Sequence, residues 1–228
     1  MADPLDLPEA TRRLVRTADA LTDEQYAEPS GLPGWNRAHV LAHLALNAEG
    51  LCGALTGIVE GVRVPMYRSQ DARDGDIADL AARKPGVIRT RLLGGCTDLA
   101  DAIAAVPPDE YDTTIDRVPG GRTFTAGAVP WMRLREVEIH HADLAAGYDR
   151  SAWSAEFAAH VLDSMLTRGV ADEPFTARPV DLDREWRYGE GGPVVSGSGA
   201  DLAWWLTGRG AGDGVTSESG VLPQVGAW

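Results

Sequence analysis

The chain has 228 residues, of which 44% are hydrophobic and 24% charged, with a formal net charge of −13; this is globular composition, long enough for one large domain or for an ordinary domain with a smaller companion. A chain this acidic, with its basic residues scattered, is expected to bind no nucleic acid, because such binding needs a basic footprint that displaces counterions. No apolar run reaches the roughly 18–20 residues that span a bilayer, and Met1-Ala-Asp-Pro-Leu-Asp6 lacks the basic and then apolar start of a signal peptide, so no membrane partner is expected and the expected compartment is the cytoplasm.

Leu7, Ala10, Leu14, Ala18 and Leu21 recur every three to four residues and predict an amphipathic helix over 6–21. Thr22-Asp-Glu-Gln25 resembles a cap opening a short turn. Pro29-Ser-Gly-Leu-Pro-Gly34 is a breaker cluster ahead of a second helix over 35–62, whose apolar face carries Ala38, Leu41, Ala42, Ala45 and Ala48 together with His43. Residues 63–74 read as a loop bearing Arg63, Arg68 and Arg73. A third long helix is predicted over 76–106, with jogs at Pro85-Gly86 and Gly94-Gly95, stopping at Pro107-Pro108. An extended link over 111–118 and a turn at Pro119-Gly120-Gly121-Arg122 lead to a fourth helix over 125–146, ended by Gly147.

Beyond Ser151 the pattern changes. An amphipathic helix over 151–169 is followed by short β-type runs at 175–180, 186–188 and 193–196, a short helix over 199–208 and a last strand at 215–219. The expected fold class is α+β: a four-helix bundle over 1–148 and a small α/β domain over 149–228.

Four long helices pack most naturally as a bundle, and bundles build metal sites from side chains that face inward on different helices. Glu136 and His140 are four residues apart in the fourth predicted helix and point the same way. With His43 from the second helix they would supply two nitrogens and one carboxylate oxygen, the three-ligand set of a catalytic zinc with one position open. The same set also suits Fe(II), and the plain alternative is a buried Glu–His hydrogen bond bracing two helices. His141 lies about 100° around the helix from His140 and reads as an outer or surface group. His39, one turn before His43, reads as a second ligand, an outer group or a helix-terminus residue. A Ser/His/Asp hydrolase is disfavoured because no G-x-S-x-G occurs, and the glycine-rich run from Gly189 to Gly199 lacks phosphate-loop spacing and lysine. Cys52 and Cys96 are too few for a disulfide framework, lack metal spacing and read as small buried residues.

The segment Pro33-Gly-Trp-Asn-Arg-Ala-His-Val-Leu-Ala-His43-Leu44, then Val64-Pro-Met-Tyr67 with Arg73, then Arg135-Glu-Val-Glu-Ile-His140 resemble the mycothiol-dependent maleylpyruvate isomerases, a family of the DinB-like metal-binding four-helix bundles. The similarity continues through Val194-Val-Ser-Gly-Ser198, Trp205-Leu-Thr-Gly-Arg209 and Gly214-Val-Thr-Ser217, and so covers nearly the whole chain. The resemblance implies Zn2+ held by His43, Glu136 and His140, with Arg73 and Arg209 serving the active site by pairing with the carboxylates of a small anionic substrate. It implies mycothiol as the thiol co-substrate and the cis–trans isomerisation of maleylpyruvate to fumarylpyruvate in gentisate degradation, by reversible addition of a thiolate to the double bond. A thiol S-transferase of the same superfamily and a non-catalytic metal-binding bundle are the alternatives.

Overall fold

The computed structural model describes residues 6–169 and 173–226, so Met1–Leu5, most of the stretch that lacks a signal-peptide pattern, lie outside the described residues. Contacts divide the chain into two compact units, Met1–Gly147 and Tyr148–Trp228. Its class is α+β, a helical bundle followed by a small α/β unit.

The first unit contains α1 (Leu7–Ala20), α2 (Asp23–Tyr26), α3 (Arg37–Val59), α4 (Gln70–Ala81), α5 (Pro85–Ala105) and α6 (Val129–Asp143). Helices α1, α3, α5 and α6 form the bundle: α3 packs against α5 and α6, and α1 against α6 and α5. Leu7, Ala10, Leu14 and Ala18 are the buried stripe of α1, as its periodicity requires. Helix α3 is central and is buried on most sides, through Val40, Leu41, Leu44, Leu51 and Leu55 among others. Each such leucine contributes roughly 1.5–3 kcal/mol relative to exposure.

Three expectations are corrected here. The arginine-bearing loop is shorter than predicted, because Ser69 caps a helix that already starts at Gln70; its hydroxyl accepts from the Ala72 N–H at 3.0 Å. The third long helix is two helices, interrupted at 82–84 ahead of Pro85, whose missing N–H is harmless in the first turn of α5. Gly94-Gly95 makes no jog, and α5 runs through it. A Cβ on Gly95 would lie 3.3 Å from the Ala45 carbonyl oxygen and 3.4 Å from the Ala48 Cβ, so this glycine lets α5 approach α3.

The fourth long helix begins at Val129 rather than 125. A 3-10 turn over Ala126–Ala128 leads into it from β2 (Thr123–Thr125), which pairs antiparallel with β1 (Thr114–Asp116), Ile115 opposite Phe124. Ile115 then joins Leu51, Leu55, Leu99 and Val106 in the core at that end of the bundle. Both cysteines are free and only partly buried.

The second unit holds α7 (Ala155–Leu166) and α8 (Gly199–Leu206) with a four-stranded sheet of order β4-β3-β5-β6, built from β3 (Phe175–Pro179), β4 (Trp186–Tyr188), β5 (Val194–Gly197) and β6 (Thr216–Ser217). Strands β3 and β5 run parallel and the other pairs antiparallel. Aromatic side chains fill this small core: Phe175 stacks on Tyr188 with ring centroids 4.7 Å apart, and Trp205 lies 5.3 Å from Phe175. The glycine-rich run supplies β5 and the Ser198 cap of α8, with Gly192 at φ +80° where a Cβ would meet the Pro174 carbonyl. Among the described residues no helix is long and apolar enough to cross a membrane.

Candidate metal centre

The start of α3 is set by Asn36, whose side-chain oxygen accepts from the His39 N–H at 3.0 Å. Gly34, at φ +77°, turns the chain just before it. That start places His39 in the first turn and His43 in the second. The His39 Nδ1 lies 2.6 Å from the same Asn36 oxygen, and its ring stacks on Trp35 at 6.0 Å. His39 is thus tied to the helix terminus, the last of the roles its position allowed.

His43 reaches across to α6. Its Nε2 lies 2.8 Å from Glu136 Oε2, and His140 Nε2 lies 3.4 Å from the same oxygen. One ligand atom from each of the three falls within 4.8 Å of the others, and among the described residues this is the one cluster of three or more metal-ligand side chains. His43 and His140 are buried, and their rings meet edge to face with centroids 4.7 Å apart. The donor set fits a divalent ion of borderline softness: imidazole nitrogens and a carboxylate oxygen converge from two helices, and one side stays open because they are only three.

Asp143 is a site residue that sequence reasoning missed. Its carboxylate accepts from His140 Nδ1 at 2.8 Å inside the protein. This commits Nδ1 to carry the hydrogen and leaves Nε2 as the nitrogen facing Glu136. The available signal was spacing, since His140 and Asp143 are three residues apart on one helix face.

The cluster polarises its own members. Burial drives His43 down to about 4, against the pull of Glu136, so this ring stays neutral. Burial also opposes charge on His140, but its hydrogen bonds to two carboxylates, Asp143 and Glu136, outweigh it and raise the imidazole above its ordinary value. Burial alone would raise Glu136; the two histidines overcome this and hold it well below the usual carboxylate range. The metal-free cluster therefore keeps an ionised Glu136 between a neutral His43 and a proton-retaining His140. Metal ligation must displace that proton.

Of the three arginines read in the loop, only Arg73 faces the cluster. It lies in the first turn of α4, and its Nη2 donates to His43 Nδ1 at 3.3 Å while Nη1 donates to Asp74 at 2.6 Å. Its guanidinium sits over the Tyr67 ring, 5.7 Å from the centroid, and its buried Nε has no partner among the described residues. Burial raises the Tyr67 phenol, reinforced by the negative charge of Glu136. Arg63 and Arg68 are exposed and pair with Asp116 and Asp76.

Arg209 belongs to the second unit, where its guanidinium lies 5.7 Å from the Trp204 ring and Nη1 donates to the Thr207 carbonyl at 3.1 Å. Glu138 and His141 are also not solvent groups: both are buried, Glu138 accepting from Arg13 Nη2 at 2.7 Å and His141 Nε2 lying 2.7 Å from Thr17 Oγ1. They tie α6 to α1, outside the cluster.

The family model described as mycothiol maleylpyruvate isomerase N-terminal domain matches residues 7–145. Solved structures similar to this chain include a mycothiol-dependent maleylpyruvate isomerase and a histidine-to-alanine mutant of it, each with 29% sequence identity, a TM-score of 0.88 and coverage of 97% of this chain and 94% of theirs. A comparison with curated proteins gives no significant match. With the matched span containing every helix of the bundle and all of His43, Glu136 and His140, the chain belongs to the family of the mycothiol maleylpyruvate isomerase N-terminal domain.

Proposed function

We propose that this protein is a metal- and thiol-dependent cis–trans isomerase converting maleylpyruvate to fumarylpyruvate, acting in the cytoplasm within gentisate degradation, with zinc held by His43, Glu136 and His140 and mycothiol as the thiol. The observation that carries the reading is the convergence of those three side chains, within 4.8 Å, on a backbone similar to a mycothiol-dependent isomerase over 97% of its length.

Zinc with three protein ligands would keep a position open for a thiol and hold it as thiolate at neutral pH. A thiolate held there would supply a nucleophile able to form a carbon–sulfur bond at one alkene carbon of the substrate, the alkene electron pair moving into the conjugated carbonyl. The former double bond is now single and turns. When the electron pair returns, sulfur leaves with its bonding electrons and the trans alkene forms, so the thiol is recovered unchanged.

The chain's own residues prepare this chemistry. Asp143 fixes the ring of His140, and Trp35 packs beside His43 at 5.8 Å between centroids. Arg73 can only donate, so in the metal-free arrangement His43 Nδ1 accepts from it and Nε2 donates to Glu136. Were Nε2 to hold a metal, Nδ1 would carry the hydrogen and no longer accept from Arg73, and the guanidinium would be free for a substrate carboxylate. Its unpartnered buried Nε supports that role, since such a donor is costly unless a ligand satisfies it. Arg209 is the second proposed carboxylate binder.

Purified protein supplied with zinc and mycothiol should change the absorbance of maleylpyruvate over many turnovers without consuming thiol. No change, under conditions where a known isomerase works, refutes the reading; a conjugate accumulating in step with thiol loss would make the protein an S-transferase.

A further inference from the structure

A cavity of about 700 Å³ lies in the first unit between α1 and α5. Its walls are largely apolar, with Leu7 and Val15 from α1 facing Leu93, Ala100 and Ile103 from α5. A volume in the range of roughly 300–1,000 Å³ suits a small organic molecule. Arg133 and Cys96 also line it, and Arg133 is the unusual feature.

Arg133 is only 2% exposed, yet no carboxylate among the described residues pairs with it. Its Nη1 donates to the Leu44 carbonyl at 2.9 Å and to Asn47 Oδ1 at 2.7 Å, and its Nη2 to Cys96 Sγ at 3.4 Å. These acceptors are a backbone carbonyl, a side-chain amide and a cysteine sulfur, and none is a carboxylate. Of the five N–H donors on a guanidinium, the described residues accept three. A buried cation without a counter-charge is expensive. A carboxylate offers the charge and the paired oxygens that meet a guanidinium edge. The α1 rim adds Arg12 and Arg16, both bonded to Glu9, and Asp101 stands exposed on the α5 rim.

We propose that this groove binds a small organic monocarboxylate with an apolar tail, of the fatty-acid or aryl-acid class, its tail between α1 and α5 and its carboxylate on Arg133. The site is separate from the His43, Glu136 and His140 cluster: its lining includes none of those side chains. Arg133 nonetheless holds Leu44 and Asn47, which follow His43 along α3, so occupancy is in structural contact with the helix that carries this ligand.

The zinc-loaded full chain is titrated calorimetrically with decanoate below its micellar concentration, and with decanol as the uncharged match. Decanoate is expected to bind one per chain and decanol at least 10-fold more weakly. Because Arg133→Met removes a core side chain and risks unfolding, the main variant is Ala100→Trp, which fills the groove from an exposed position on α5. It should weaken decanoate at least 10-fold with zinc content unchanged. Equal binding of decanoate and decanol, or decanoate binding that survives Ala100→Trp, overturns the proposal. So does binding lost in His140→Ala but kept in Ala100→Trp, which would place the carboxylate on the metal, and so does a dimer in sedimentation that Ala100→Trp dissociates, which would make the groove an interface between copies.

Discussion

Helix α6 carries acid–imidazole pairs on two of its faces, and they serve different ends. Glu136 and His140 meet His43; Glu138 and His141 meet Arg13 and Thr17 on α1. The residue types are the same and the positions interleave within six residues. What separates them is the partner. Glu138 is neutralised by a guanidinium and is 3% exposed, a closed ion pair that braces two helices. Among the described residues Glu136 bonds only to imidazoles, and its side chain keeps 22% exposure, so its oxygens remain available to a ligand. A carboxylate beside histidines becomes a binding site when no permanent cation fills the gap.

Removing a member of the open pair should have the largest effect. His140→Ala is expected to abolish zinc retention, seen by elemental analysis, and to lower isomerase activity by about 10³-fold or more, roughly 4 kcal/mol. Equal zinc content in variant and wild type would remove the contrast between the faces.

Acid should act on both faces together. His43 and His141 are neutral in the fold, each held at about 4, the first by burial and the second by burial with Arg13 beside it. In the unfolded chain both return to about 6.5, so the unfolded state binds more protons and stability of the metal-free protein falls as pH drops from about 6.5 to about 4, by up to about 3 kcal/mol for each ring. His140 has the opposite sign, since its raised value stabilises below about 6.5 and is lost as pH rises through it. Denaturant midpoints across this window, with His141→Gln halving the slope, check the assignment.

Arg13→Leu sharpens the comparison from the closed side. It strips the guanidinium from a buried carboxylate and should destabilise the fold by about 2 kcal/mol, less than a fully buried pair because Arg13 is partly exposed. Zinc stoichiometry should be unchanged. Asp143→Ala leaves the ligands in place but frees the His140 ring, and a competition titration should show zinc bound roughly 10–100-fold more weakly. Thr17→Val is the mildest change, costing about 1 kcal/mol in thermal or denaturant unfolding with no effect on zinc.

Much of the bundle was legible because its signals are local. The stripe of α1, the cap at the start of α3 and the Glu136-x-x-x-His140 spacing are each read within a few residues. Where the reading failed, a second element had intervened. Gly95 looked like a break, and is instead a place where α3 comes too close for a side chain. Residues 63–74 looked like a uniform arginine loop, but the Ser69 cap starts a helix that turns Arg73 toward His43 and leaves Arg63 and Arg68 outside. Thr125 looked like the start of a helix, and instead ends a strand that pairs with a segment several residues upstream. Cys96 looked like ordinary packing, and lies against a buried guanidinium.

By itself the sequence determined the α+β class, the helices of the bundle and a short list of side chains able to bind a metal, because helical periodicity and side-chain chemistry are properties of the chain read along its length. Only the tertiary structure decided which of the two acid–imidazole faces of α6 meets His43 and which is closed by Arg13, and that Arg133 lies buried without a carboxylate beside a cavity. Those outcomes depend on partners 86 to 125 residues away in the chain, which no local pattern records, and on burial, which turns the same charged group into a brace, a ligand or an unfilled site.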